Sequence, residues 1–257
     1  MSLPEADESL ELPEAAPVYG GPVLQLSDLR TGYGALPVLH GISLEVHQGE
    51  LAVLLGLNGA GKSTTMMAIA GLLKTWSGSI EFEGQQITRL ETAKRVARGV
   101  VLVPEGRRVF PALSVEVNLR LGAWVKRRDR RGLKERMDRV FEYFPRLAER
   151  RKQTAGTMSG GEQQMLAVGR GLMAEPKLLL IDEASLGLAP KTASELFHTV
   201  KQIARSGVTC IMVEQNASRA LALANRGYVM ESGEVTMSGP AQQLLDDPKV
   251  RAAYLGE

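Results

Sequence analysis

An α/β fold built on a parallel sheet with crossover helices is predicted by three features of the 257-residue chain. Apolar, strand-like runs alternate with helical stretches from Val23 onward, the order that returns successive strands to one parallel sheet. Two runs, Leu51–Leu55 and Val100–Val103, are continuously apolar, as strands covered on both faces are. A glycine-rich turn then leads from the first of these into a helix opening at Lys62.

The elements follow in order. Residues 1–22 hold Glu5, Asp7, Glu8, Glu11 and Glu14, no Lys or Arg, and prolines at 4, 13, 17 and 22; they read as a disordered acidic tail. Residues 23–30 alternate apolar and polar as a half-buried strand does. Gly32-Tyr33-Gly34 reads as a turn, 42–46 as a second alternating strand, and Leu51–Leu55 as a buried one. A helix is expected over 62–73, a short strand at 80–82 before a Glu83-Gly84 turn, and a strand at Val100–Val103. The pattern over 115–125 and 133–144 is helical and strongly basic, with Pro145 as the stop. It predicts a helical subdomain, inserted at about 115–160. Beyond Ser159 come a helix to about 174, a strand at 178–181, a helix at 192–205, a strand at 208–213, a helix at 217–224 and a strand-like 228–231.

Several function classes are excluded or disfavoured. The single cysteine, Cys210, lies in an apolar run; it permits no internal disulfide and no cysteine zinc site, and suits a reducing compartment. His40, His47 and His198 lack ligand spacing. No apolar stretch reaches the ~18–20 residues that span a bilayer, and the acidic N-terminus is unlike a secretory signal, so any work at a membrane is expected from the side. The net charge of +2 is mild and does not call for nucleic acid. The basic run Lys126-Arg127-Arg128-Asp129-Arg130-Arg131, with Lys134 and Arg136, reads first as a solvated face, with anionic lipid headgroups or nucleic acid as the functional alternative; aromatics at 5% provide no platform for single-stranded nucleic acid. Met66, Met67, Met165 and Met173 fall at helical spacing as core filler.

Two motifs carry chemistry. Gly56-Leu57-Asn58-Gly59-Ala60-Gly61-Lys62-Ser63-Thr64 follows a buried strand and opens a helix. Its glycines let backbone N–H groups curl around phosphate oxygens, and the helix N-terminus adds partial positive charge. Lys62 can place its ammonium on the β- and γ-phosphates, and Ser63 can offer a hydroxyl to Mg²⁺. The second motif, Leu178-Leu179-Leu180-Ile181-Asp182-Glu183, is an apolar strand ending in two carboxylates. Strand C-termini line the ligand crevice of a parallel sheet, so Asp182 should lie beside the loop to hold Mg²⁺, with Glu183 placed to polarise the attacking water.

Joined to these, Thr157-Met158-Ser159-Gly160-Gly161-Glu162-Gln163-Gln164 resembles the signature, usually written L-S-G-G-Q, of the ATP-binding subunits of ABC transporters. The chain resembles that family from about Val23 to Gly256, and within it the LivF-like ATPases of branched-chain amino acid importers. Tyr33 resembles the aromatic that stacks on adenine. Val103-Pro104-Glu105 matches the segment that senses Mg²⁺ and the membrane partner, 110–119 the start of the helical lobe, and 185–190 the loop that communicates between subunits. The resemblance implies a P-loop (RecA-like) core with an antiparallel β subdomain and a helical subdomain. It implies Ser159, Gly160, Gly161 and Glu162 as a cradle closing on ATP held by a partner subunit. The partners implied are a second, related ATPase (a homodimer being possible in isolation), two membrane permeases and, indirectly, an extracytoplasmic solute-binding protein, with the chain peripheral at the cytoplasmic face of the inner membrane. Urea and short-amide importers are the alternative, and an ATPase acting on nucleic acid a more distant one.

Three positions depart from the family pattern: Glu105 where Gln is usual, Gln215 where a switch histidine is usual, and Ala184 where Pro commonly follows the glutamate. Gln215 can position water or the γ-phosphate but does not titrate. Glu105 can serve Mg²⁺ as a hard anionic oxygen or pair with Arg107 or Arg108.

Overall fold

The computed structural model describes residues 21–255, so the tail expected over 1–22 lies outside the described residues but for its last two, of which Pro22 already belongs to the first strand. Two sheets form. The first is antiparallel, built from β1 (Pro22–Tyr33), β2 (Leu36–His47), β4 (Ser77–Phe82) and β5 (Gln85–Gln86) in the order β2-β1-β4-β5. The second has the order β10-β9-β3-β8-β7-β6, from β3 (Leu51–Leu55), β6 (Val100–Val103), β7 (Leu178–Asp182), β8 (Thr209–Val213), β9 (Arg226–Glu231) and β10 (Glu234–Pro240). Its strands run parallel except at the β9–β10 hairpin.

Alternation along the central strands explains why they are apolar throughout. Leu51, Val53 and Leu55 of β3 join one core, with Leu179, Ile181, Cys210 and Met212. Ala52 and Leu54 face the other, with Leu178, Leu180, Ile211 and Val213. The first core is closed by α6 (Gly160–Leu172), α7 (Pro190–Arg205) and α8 (Ala217–Leu223). The second is closed by α1 (Lys62–Ala70) and by the antiparallel sheet through Leu24, Leu26, Ile42, Leu44, Ile80 and Phe82. Cys210 is fully buried, and burial pushes its thiol up to about 12, consistent with a core role.

Several boundaries move. The turn after β1 is Gly34-Ala35, because Gly32 and Tyr33 still pair with Pro37 and Leu36. Helix α1 stops at Ala70, three residues before the expected end. Gly71 caps it in the left-handed region at φ 76°, where a Cβ would stand 2.8 Å from Arg95 Nε. Arg95, on α2 (Thr92–Ala97), is buried and donates to the carbonyls of Ala68, Ile69, Thr88 and Leu90. The guanidinium thereby satisfies carbonyls left over at the C-terminus of α1.

The basic stretch folds as α3 (Val115–Gly122), a 3₁₀ turn over Ala123–Lys126, α4 (Arg130–Tyr143) and α5 (Pro145–Glu149). Pro145 therefore ends one helix and opens the next at its first position, where the missing N–H costs nothing. Buried Asn118 accepts the Phe110 N–H and donates to the carbonyls of Phe110, Leu113 and Ser114, fixing the loop that leads into α3. Glu175, just past α6, accepts from Lys126 at 2.7 Å, Arg139 at 2.6 Å and Arg136 at 3.4 Å, tying α4 to the core. The described residues close with α9 (Ala241–Asp246), α10 (Pro248–Val250) and a π-helical turn over Arg251–Leu255.

Candidate functional site

Strand register assembles the site. Leu54 of β3 and Asp182 of β7 both pair with Val213 of β8, and Val103 of β6 pairs with Ile181. The C-terminal ends of four neighbouring strands thus deliver the 56–64 loop, Asp182-Glu183, Glu214-Gln215 and Glu105 to one edge, the crevice position of an open parallel sheet. A cleft of about 720 Å³ lies there, walled by Tyr33, Asn58, Gly59, Gly61, Lys62, Ser63, Thr64, Glu105, Glu183 and Gln215, with Val38 and Leu186 at its rim.

The loop needs glycine for conformation and for space. Gly59 (φ 85°) and Gly61 (φ 101°) lie in the left-handed region, and Gly56 has φ 155°. A Cβ on Gly56 would strike the Met230 carbonyl, and one on Gly61 would come within 2.7 Å of Leu39. The loop is braced from behind by Gly233 N–H donating to the Ala60 carbonyl at 3.0 Å and by Thr65 Oγ1 donating to the Gly61 carbonyl at 3.0 Å. Lys62 is buried, and its ammonium donates to the carbonyls of Gly56 at 2.8 Å and Leu57 at 3.0 Å. Thr64 is buried beneath the loop; its Oγ1 lies 3.4 Å from the hydroxyl of Tyr33, whose ring is half-exposed.

Ser63 Oγ donates to Asp182 Oδ1 at 3.0 Å. Burial pushes Asp182 up to about 6; the Ser63 bond opposes this, and the charges of Glu183 and Glu105 add to it. Glu183 turns the chain at φ 45°, with its N–H on the Val213 carbonyl at 3.0 Å. Its Oε2 accepts from Gln215 Nε2 at 2.8 Å, and the same amide lies 3.4 Å from Asn58 Oδ1. Glu105 faces this cleft. Among the described residues its carboxylate forms no ion pair with Arg107 or Arg108; Arg108 Nε donates to the Glu105 backbone carbonyl instead, at 3.3 Å.

The Ser159–Glu162 turn stands outside the cleft, at the head of α6. Ser159 is its N-cap: Ser159 Oγ accepts the Glu162 N–H at 3.3 Å and Glu162 Oε2 accepts the Ser159 N–H at 2.9 Å, a reciprocal capping box. Burial raises the Glu162 carboxyl, but the Ser159 bonds and the nearby Arg150, 2.7 Å away, outweigh that and hold it below the usual range. Close approach favours glycine at Gly161, whereas at Gly160 the neighbour is the movable end of a long side chain. A Cβ on Gly160 would stand 2.6 Å from the Arg107 guanidinium, and one on Gly161 would strike Thr192 Cγ2.

Sequence reasoning left Glu214 without a role. It is buried, and it accepts the Ser185 hydroxyl at 2.5 Å and the Ser185 N–H at 3.2 Å, so it ties the turn after Glu183 to the loop that carries Gln215 past the end of β8. Burial pushes it up to about 7, against the Ser185 bonds. The signal was available: Asp182 is the last residue of a fully buried strand, and Glu214 is the carboxylate that directly follows another.

Comparison with known proteins decides the family. The model described as ABC transporter matches residues 39–186. The chain belongs to the ABC transporter family. Its ATP-binding subunits include "High-affinity branched-chain amino acid transport ATP-binding protein BraG" of Pseudomonas aeruginosa, 50% identical over 234 residues, 91% of this chain and 100% of BraG. "Probable branched-chain amino acid transport ATP-binding protein LivF" of Archaeoglobus fulgidus is 34% identical over 91% of this chain and 99% of LivF. Among solved structures, the ADP conformation of an ATP-binding cassette of an ABC transporter superposes with a TM-score of 0.82 at 27% identity, covering 93% of this chain and 100% of that one. This ABC protein is accordingly an ATP-binding subunit and an ATPase, on the P-loop α/β core expected for it.

Proposed function

We propose that this ABC ATPase drives an importer of branched-chain amino acids from the cytoplasmic face of the inner membrane. Its likeness to BraG over the whole of that protein supports the cargo class. No described helix is long and apolar enough to cross a membrane, which suits a peripheral subunit attached to two permeases. Residues 23–257 would form the ATPase unit, with the helical segment at about 115–160 inserted.

The site supports a division of labour. Backbone N–H groups of Gly56, Asn58, Gly59, Ala60 and Gly61, with Lys62 and Thr64, grip the phosphates of ATP, and Tyr33 meets the adenine. The residues also fit Mg²⁺: the Ser63 hydroxyl and Asp182 carboxylate are already 3.0 Å apart, and Glu105 supplies a third hard oxygen on the same cleft. Bound there, Mg²⁺ would neutralise phosphate charge. Glu183 orients the attacking water and Gln215 holds Glu183 in register. Catalysis is then positioning plus electrostatics, with little covalent work by the protein. Ser159, Gly160, Gly161 and Glu162 lie outside this chain's own cleft. They would close on the nucleotide of a second ATPase, a related but different subunit in the assembled importer, while an extracytoplasmic binding protein presents cargo to the permeases.

One arrangement carries this reading: Glu183 and Gln215 lie 2.8 Å apart, beside the Ser63–Asp182 pair. Glu183→Gln should retain ATP while phosphate release is lost, and Lys62→Ala should lose both; unaltered turnover in Lys62→Ala refutes the motor. Cargo is tested on the complex purified with its permeases, where leucine-loaded binding protein should raise ATP hydrolysis. Stimulation by urea or a short amide in place of leucine refutes the cargo class.

A further inference from the structure

From the end of α3 into α4 positive charge predominates on the surface. Lys126, Arg127, Arg128, Arg130, Arg131 and Lys134 are all exposed. The neighbouring acids are largely committed elsewhere. Glu175 holds Lys126, Arg136 and Arg139. Asp129 pairs with Arg136 at 2.8 Å and caps α4 by accepting the Gly132 N–H at 2.9 Å. Glu135 and Asp138 remain, both exposed. Arg127, Arg128, Arg130, Arg131 and Lys134 form no ion pair among the described residues. Arg130 and Arg131 also sit in the first turn of α4, which contains no acid, where the macrodipole disfavours cations.

An apolar element accompanies the charge. Trp124 is 65% exposed, with Leu121 and Val125 exposed beside it, and the Arg127 guanidinium lies 5.1 Å from the centre of the indole. An exposed indole against one guanidinium and next in sequence to a run of exposed cations matches the headgroup layer of a bilayer, which accepts an amphipathic ring and supplies phosphates to the cations. Guanidinium recognises phosphate bidentately. Single-stranded nucleic acid would call for a row of stacking aromatics; here there is one indole, already stacked by Arg127.

We propose that the 121–134 surface docks this subunit directly on anionic lipid, with Trp124 in the headgroup layer and Arg127, Arg128, Arg130 and Arg131 on lipid phosphates. The proposal extends the reading of a membrane-facing motor, yet lipid contact is measured with neither permease nor hydrolysis, so either can fail alone.

The test uses the full chain carrying Trp76→Phe, which leaves Trp124 as the sole indole of the two in the sequence. Vesicles of phosphatidylcholine with phosphatidylglycerol should sediment the protein and shift Trp124 fluorescence to the blue, and added salt should weaken both effects. Phosphatidylcholine alone should do neither. Arg128→Glu with Arg131→Glu should weaken vesicle binding by about tenfold or more while ATP hydrolysis in solution stays unchanged. The proposal is overturned by equal binding to both vesicle types, by no blue shift, by full affinity in the double reversal, or by tighter retention on single-stranded RNA at the same salt.

Discussion

Asp182 and Glu214 are carboxylates that the fold holds away from water, at the cost of charge. Their pKa values rise to about 6 and about 7 from ordinary values of 3.8 and 4.5. A raised carboxyl means that the folded chain binds the proton more tightly than the unfolded one. Stability of the nucleotide-free protein should therefore fall as pH climbs from ~4 through ~7, then level off. Glu214→Gln keeps an acceptor for Ser185 without the charge and should gain ~1–3 kcal/mol at pH 7.5, flattening the upper part of the profile. Asp182→Asn should likewise raise the melting temperature while abolishing hydrolysis of Mg-ATP. A thermal denaturation series against pH checks both; a native profile that rises over this window removes the argument. Gln215 gives a kinetic counterpart. It has no proton to lose, so turnover should show no inflection near pH ~6–7 from this position, whereas Gln215→His should acquire one. Identical pH–rate curves would show that residue 215 does not act on the reacting water.

Elements were legible in proportion to how completely they are buried. Both ends of β3 and β6 were readable because every turn of the pleat meets a core, so the apolar run and the strand coincide. Weakly patterned elements escaped: β10, an edge strand with no residue fully buried, the two-residue β5, and the short α2, α9 and α10. The loop at 56–64 and the Asp182-Glu183 strand end could be placed because spacing and neighbouring elements constrain them. The Glu214–Ser185 bond could not, since it depends on register between β7 and β8, which no local pattern encodes. At the head of α6 the capping box gives a measurable expectation. Ser159→Ala deletes the hydroxyl that caps Glu162 and should cost ~1 kcal/mol of stability, with Ser159→Thr restoring most of it. Equal melting temperatures for all three proteins would mean that the cap contributes nothing.

At the scale of the whole molecule, the phosphate loop and the Ser159–Glu162 turn do not share a cleft, so one chain alone holds half of each proposed composite site. Glu183→Gln, able to bind but not split ATP, should therefore elute at twice the monomer mass with Mg-ATP when mixed with the related subunit. Chelation of the metal should return it to single chains. Elution as a monomer under every condition would break the pairing argument. The crowd of carboxylates at the strand ends has one more consequence. Asp182, Glu183, Glu105 and Glu214 repel one another until a cation and a nucleotide arrive, and ligands that favour the native state stabilise it by mass action. The ligand-free chain is therefore its least durable form and the one most open to proteases, and the nucleotide that fuels the motor also preserves it.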